Sequence, residues 1–544
     1  MTCHFFDRFR RKMPLLLDFC MYVCYNYPVI PRLEVENKQN RKDYVMKNFF
    51  RLEERGSTVR REAVAGITTF LAMAYILLVN PGMFSALGAG TDAGTGGYFN
   101  GVYIATALSA VIGTLLIGFL ANLPLAQAPG MGLNAFFVYT VCFGLGFSYA
   151  NALLFVLFDG VLFVILTVTG LRKLIFEAIP TPVKAAIPAG IGLFIALLGL
   201  QDAKLVIPST STGLTLSSFN LLGSATWAGI MPLLVTVFAL IAIAVLSKKG
   251  VKGAILWSIL GAAALYYLLG FTVPGFYTPT STATANGYVT NYFLGCDSVT
   301  GVCNTLSLNP FAAFADFGKF SFAKVFTEGF DFSYYLSADG HSTGSLIIAI
   351  ITTSLAFCMV DMFDTMGTLY GACRAGDMLI KNDKGEEEVP AMDRAMLADA
   401  IATCTGAVCG TSTVTTFVES SSGVAAGGRT GLSSVFTAAL FAVALFLSPI
   451  ASLIPACSYA AALIYVGVLM IGSIKGLEWS DPAVAVPSFL TLAMMPFTYN
   501  ISYGIAFGLI SYTLIRLFTG KIKEIKPGTW IVSILFAAMF FLTH

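Results

Sequence analysis

The chain reads as an all-α polytopic membrane protein, with fourteen transmembrane segments forming two inverted seven-segment repeats and short extended strands in segments 3 and 10. Three observations predict this. Of 544 residues, 56% are hydrophobic and only 11% are charged, against roughly 25% charged in a soluble domain, and mean hydropathy is +0.78. Apolar stretches of about 20 residues, each long enough to cross a bilayer as a helix, recur from residue 62 to the end. The basic residues sort to one side of those stretches.

Residues 1–45 carry basic residues and then a short apolar run, superficially like a signal peptide. Pro14 and Asp18 interrupt that run and no small-residue cleavage site follows. M-K-N-F-F-R-L-E-E-R-G, from Met46, reads as a natural cytoplasmic start, so the first 45 residues are expected to be an over-extended start or a disordered tail. Spans are expected near 62–84, 100–121, 127–145, 149–170, 182–200, 227–247 and 251–272. After a long loop come 343–370, 393–410, 411–427, 431–453, 457–474, 481–498 and 500–518. The segment 529–542 is short for a span and reads as interfacial or packed on the bundle edge.

The positive-inside rule tests the count. With the N-terminus cytoplasmic, 13 of the 32 basic residues precede the first span, 16 lie in later inside segments and 3 (Lys204, Lys319 and Lys324) fall outside. A miscount in the middle would invert everything after it. The loop 274–342 is then external, and its Cys296 and Cys303 are the one cysteine pair placed for a disulfide. The other cysteines read as small buried hydrophobes. The three histidines, His4, His341 and His544, lie outside the apolar segments, which removes a histidine metal site and an intramembrane histidine relay.

The halves echo each other. I-P-T-P-V-K-A-A-I-P-A-G-I-G-L (179–193) resembles I-P-A-C-S-Y-A-A-A-L-I-Y-V-G-V (454–468), and each follows the fourth span of its half. Trp227 and Trp479 mark the sixth span of each. Seven is odd, so the second repeat enters from the opposite side, an architecture of secondary transporters with sites near midplane at interrupted helices.

Segment 3, Q-A-P-G-M-G-L-N-A-F-F (127–137), begins with Pro and Gly, which disfavour a continuous helix. Segment 10, G-T-S-T-V-T-T-F-V (410–418), is rich in β-branched residues that suit a strand. Non-helical backbone at membrane depth is tolerated only inside protein or beside water, so the two extended stretches are expected to pair. Half-helices beyond them would point their N-termini at one cavity. Glu419 falls where strand gives way to helix, and Asn134 holds a comparable place in the first half. Glu419 is read as functional, since an ionisable group in a span costs roughly 2.5–3.5 kcal/mol; a capping role is the alternative. In segment 8, Asp361 and Asp364 are three apart, near one helical face. Two such acids cannot both stay comfortably ionised, so one is expected to exchange a proton. For Asp159 structural and coupling roles both stand, and for Asp399 the structural one is favoured. The glycines of G-V-A-A-G-G and G-A-V-C-G are read as packing positions.

At these residues the chain resembles the nucleobase–cation symporter-2 superfamily, in its guanine/hypoxanthine (AzgA-like) branch. The matching motifs are A-P-G-M-G-L-N-A-F-F, F-D-T-M-G-T-L-Y-G, G-T-S-T-V-T-T-F-V-E-S-S-S-G-V-A-A-G-G-R-T-G-L and M-P-F-T-Y-N-I-S-Y-G-I, within residues 60–525. The resemblance implies proton-coupled uptake of purine bases, with a core domain (62–171 and 343–454) rocking against a gate domain (172–273 and 455–519). Members of that family commonly form dimers, while the charge pattern itself places both termini in the cytoplasm, and the plasma membrane is the expected location. The resemblance maps the segment-8 carboxylate onto Asp364, the segment-10 carboxylate onto Glu419 and the segment-3 asparagine onto Asn134. A histidine of uracil and xanthine relatives falls on Thr368, which leaves coupling to the carboxylates Asp361, Asp364, Glu419 or Asp159.

The purine N1–H edge suits a carboxylate acceptor, assigned to Glu419, with Asp364 on another ring nitrogen or on the coupling proton. Backbone around Leu133, Phe417 and Val418 is expected to complete the shell, with Phe417 or Phe136 against the base or in the core. Neither cofactor nor metal is expected, and the coupling ion is expected to be a proton, with sodium open. The rivals are an anion transporter of the same architecture, an aspartyl protease using Asp361 and Asp364, which would want its acids on separate helices, and a channel.

Overall fold

The computed structural model describes residues 49–88, 94–170, 179–209, 211, 213–220, 227–272, 310–337, 342–381, 387–451 and 453–542. The start expected at Met46, the pair Cys296 and Cys303, and the three histidines lie outside these residues. Nine helices among the described residues are long and apolar enough to cross a membrane. The chain is a mostly helical, polytopic membrane protein.

The first span comes in two pieces, α1 (Val59–Met73) and α2 (Ile76–Ser85), jointed at Ala74 and Tyr75. Next come α3 (Gly94–Leu120), strand β1 (Gln127–Pro129), α4 (Met131–Ala135) and a π-helical stretch, Phe136–Gly144. Then follow α5 (Tyr149–Thr169) and α6 (Thr181–Asp202), and a hairpin of β2 (Val206–Ser209) with β3 (Gly213–Leu216) that hydropathy did not announce. The helices α7 (Trp227–Lys248) and α8 (Ala254–Thr272) close the first set.

The second set opens with α9 (Thr343–Ala375) and α10 (Met392–Cys409), then strand β4 (Val414–Thr416) and α11 (Ser420–Ala425). It continues with α12 (Gly431–Ala444), α13 (Ala456–Met470), α14 (Pro482–Thr498) and α15 (Ile501–Phe518). A last helix, α16 (Pro527–Leu542), packs against α15. Two details go beyond the sequence reading. The half-helix after β4 has only six residues. The described part of the long loop carries short helices, Pro310–Asp316 packing on α3 among them.

The strands β1 and β4 are antiparallel, with Gln127 opposite Thr416, Ala128 opposite Thr415 and Pro129 opposite Val414. The ladder continues through Gly130 N–H to the Thr413 carbonyl (2.9 Å) and Phe417 N–H to the Ala126 carbonyl (3.0 Å). Every residue of both strands is buried. Unpaired backbone groups there would cost several kcal/mol each, and the pairing removes that cost. The order helix, helix, strand with half-helix, then four helices occurs in both sets. Packing partners also exchange: α3 lies on α12 as α5 lies on α10, and α6 packs on both α13 and α14 while α13 packs on both α6 and α7.

Candidate functional site

A cavity of about 290 Å³ lies beside the β1–β4 crossing. Gly130, Met131 and Gly132 form one wall, where β1 turns into α4, and Thr416, Phe417, Val418 and Glu419 form another, where β4 turns into α11. The joint of the first span contributes Tyr75, and α9 contributes Asp364, Gly367 and Thr368. The last side comes from the other helix group, with Pro188 of α6 facing Val466, Leu469 and Met470 of α13. Its volume sits at the small end of ligand pockets, about 300–1,000 Å³. No lysine or arginine is among its lining residues.

Glu419 occupies the N-cap position of α11, yet its side chain makes no capping bond. Its Oε1 instead accepts a hydrogen bond from the Tyr75 hydroxyl at 2.6 Å. That geometry removes the capping alternative. Tyr75 escaped the sequence reading because a lone tyrosine in an apolar run looks like core, and it is in fact fully buried. Asp364 borders the same cavity from α9. Its Oδ2 would lie 3.8 Å from a Cβ placed on Gly130, and such a Cβ would also come within 2.5 Å of Thr415 Cγ2. Glycine at 130 is therefore a packing requirement set by the facing strand, whereas the acid stands at ordinary contact distance.

The remaining acids are buried behind the crossing. Asp399 accepts from Gln127 Nε2 (2.8 Å), Thr416 Oγ1 (3.1 Å) and Thr365 Oγ1 (2.6 Å), tying both strands to α9 and α10. This is the structural role favoured for it. Asp361 and Asp364 do not face one space. Asp361 turns to Thr403 of α10, whose hydroxyl donates to Oδ2 at 3.3 Å, while Asp364 turns to the cavity. Three residues along a helix leave the pair about 60° apart around its axis, enough to separate them. Asp159 Oδ2 accepts from Thr413 at 3.2 Å. Asp159 Oδ1 and Asp361 Oδ1 have no hydrogen-bond partner among the described residues.

Asn134 and Leu133 stand apart from the cavity lining. Asn134 is fully buried, its amide donating to the Pro129 carbonyl at 3.3 Å and its Oδ1 accepting from the Ser412 hydroxyl. Phe136 is buried edge-on against Phe357, at 4.7 Å between ring centroids. Of the expected set, the structure brings Asp364, Glu419, Phe417 and Val418 to one cavity, which Thr368 also lines.

A model of a permease family matches residues 60–507. The chain belongs to that family, the nucleobase–cation symporter-2 family. This permease is 37% identical to the guanine/hypoxanthine permease PbuG of Bacillus subtilis over 90% of its own length and 99% of PbuG. It is 33% identical to the adenine permease AdeP of Escherichia coli over 90% of its length and 95% of AdeP. Its fold is that of the transmembrane domain of the cyanobacterial bicarbonate transporter BicA, with a TM-score of 0.51 at 13% identity over 82% of this chain and 97% of that one. The permease is a transporter rather than an enzyme.

Proposed function

We propose that this permease is a secondary transporter that takes up purine nucleobases by proton symport and alternating access, with Glu419 accepting from the N1–H edge of the base. The observation that carries the reading is the cavity beside the strand crossing, with Glu419 and Asp364 both on its wall. A flat heterocycle of guanine or hypoxanthine type offers that edge as donor, and a charged acceptor makes the stronger bond. Asp364 then takes another ring nitrogen or the coupling proton, with Asp361 and Asp159 as buried alternates. Backbone at Phe417 and Val418 completes the polar wall. Asn134 and Leu133 serve the scaffold that holds it. Sodium is the alternative coupling ion, and no cofactor is involved.

Alternating access has a geometric support. The core domain (62–171 and 343–454) supplies both acids, and the gate domain (172–273 and 455–519) supplies Pro188 and Met470. Pro188 lies near the start of α6 and Met470 ends α13, the ends the charge pattern assigns to the cytoplasm. On the other side, Thr140 Oγ1 donates to the Tyr499 carbonyl at 2.8 Å, bridging core to gate. This arrangement suits a state closed outside and reachable from inside. The nine long spans, the shorter apolar helices Met131–Gly144, Ala254–Gly270 and Pro482–Thr498, α10 and the β4–α11 segment make fourteen crossings, with both termini cytoplasmic in the plasma membrane. A homodimer is the proposed assembly.

Anion transport is the second reading, favoured by the fold shared with BicA. Two carboxylates on the wall and no lining cation argue against it. The deciding experiment is radiolabelled purine uptake into proteoliposomes with and without an uncoupler, for wild type and Glu419→Gln. Uncoupler-sensitive accumulation that the variant loses is expected; wild-type-like rates and pH dependence in the variant refute the assignment.

A further inference from the structure

We propose that Tyr75 positions Glu419 and sets how the site weighs purines with and without a 2-amino group. This rests on the reading of Glu419 above. A free carboxylate offers two oxygens to two parallel donors, and guanine presents such a pair, N1–H beside its 2-amino group. Hypoxanthine presents N1–H alone. In this site the carboxylate is not free: the Tyr75 hydroxyl donates to Oε1 at 2.6 Å, and no other side chain among the described residues donates to either oxygen. An oxygen already holding a short bond to a phenol is a weaker acceptor for a second donor, because its negative charge is shared. The fork is thus reduced toward a single strong acceptor, which treats guanine and hypoxanthine nearly alike.

Three features make Tyr75 a built part of the site. It sits at the joint between α1 and α2, where Ala74 and Tyr75 keep right-handed helical dihedrals, and its hydroxyl reaches Glu419 at the start of α11. It is fully buried, so its ring has little freedom and the hydroxyl holds its place. Its hydroxyl is the one side-chain donor found on the Glu419 carboxylate among the described residues, since the carboxylate makes no capping bond.

The test is uptake and binding of guanine and hypoxanthine by the full-length protein in proteoliposomes. Wild type should prefer guanine by less than about tenfold, because an unshared second charge-assisted bond would bring about ten- to a hundredfold. Tyr75→Phe keeps the ring and frees Oε1, so the guanine-to-hypoxanthine ratio of kcat/KM should rise about three- to tenfold. In a Glu419→Gln background, read by equilibrium binding rather than uptake, the same Tyr75→Phe change should leave the guanine-to-hypoxanthine affinity ratio where it was. If Tyr75→Phe lowers both bases by one common factor, or lowers the ratio, the proposal is overturned and Tyr75 is structural only. A wild-type guanine preference above about a hundredfold also overturns it, and that measurement needs no variant to fold. Glu419→Gln with unaltered uptake of both bases would instead break the underlying site reading.

Discussion

Segments 127–144 and 414–425 meet as three residues of strand against three, each leading into a helix, yet they bring different chemistry to the crossing. After β1 come glycines and the buried amide of Asn134, bonded to Ser412 and the Pro129 carbonyl. After β4 comes Glu419, half-buried on the cavity wall and held by a tyrosine from the first span. One arm closes the scaffold and the other puts an acid on the cavity wall. Duplicated architecture therefore does not imply duplicated roles: a repeat supplies two equivalent positions, and their surroundings decide which is solvated enough to carry a charge. The acids divide the same way. Asp364 borders the cavity, whereas Asp399 has hydrogen bonds on both oxygens and binds the two strands to α9 and α10.

Three substitutions test the contrast. The largest effect is expected from Asp364→Asn, which should reduce purine uptake by about a hundredfold, the loss of one charge-assisted contact and its proton. Melting of the purified protein should stay near wild type, because Asp364 lies on the cavity wall; unfolding of the variant would move Asp364 to the scaffold class. Gly130→Val comes next. Its Cβ would approach Thr415 Cγ2 to 2.5 Å, an overpacking expected to cost about 1–3 kcal/mol and to lower both melting temperature and uptake. Unchanged melting would mean that the crossing is looser than its geometry. Asn134→Ala should have the smallest effect on transport, with stability falling by about 1–2 kcal/mol as Ser412 and the Pro129 carbonyl lose a partner. Should Asn134→Ala abolish uptake while melting as wild type does, the two arms would share the ligand after all.

Much of the site was legible in the residues. Pro129 and Gly130 announced a broken helix and the β-branched run 410–418 a strand, because both patterns are local and their cost in a bilayer is large. Glu419 and Asp364 stood out since a charge among apolar residues is expensive without a purpose. Tyr75 was not legible: its role depends on a partner 344 residues away, and no local pattern marks a tyrosine as a donor. Asn134 was misplaced for the converse reason. Its position in the repeat matched Glu419, but only packing against Ser412 decided that it turns inward.

Hydropathy and charge determined the membrane class and the rough positions of the spans, and local Pro–Gly and β-branched patterns marked the two interruptions, because the bilayer imposes one length scale and forbids unpaired backbone. Which side chains share the cavity was decided by tertiary structure, through the antiparallel crossing of β1 and β4 and the approach of α6 and α13. A helix presents its side chains in all directions, and only its neighbours determine which of them meets water, another residue or a ligand.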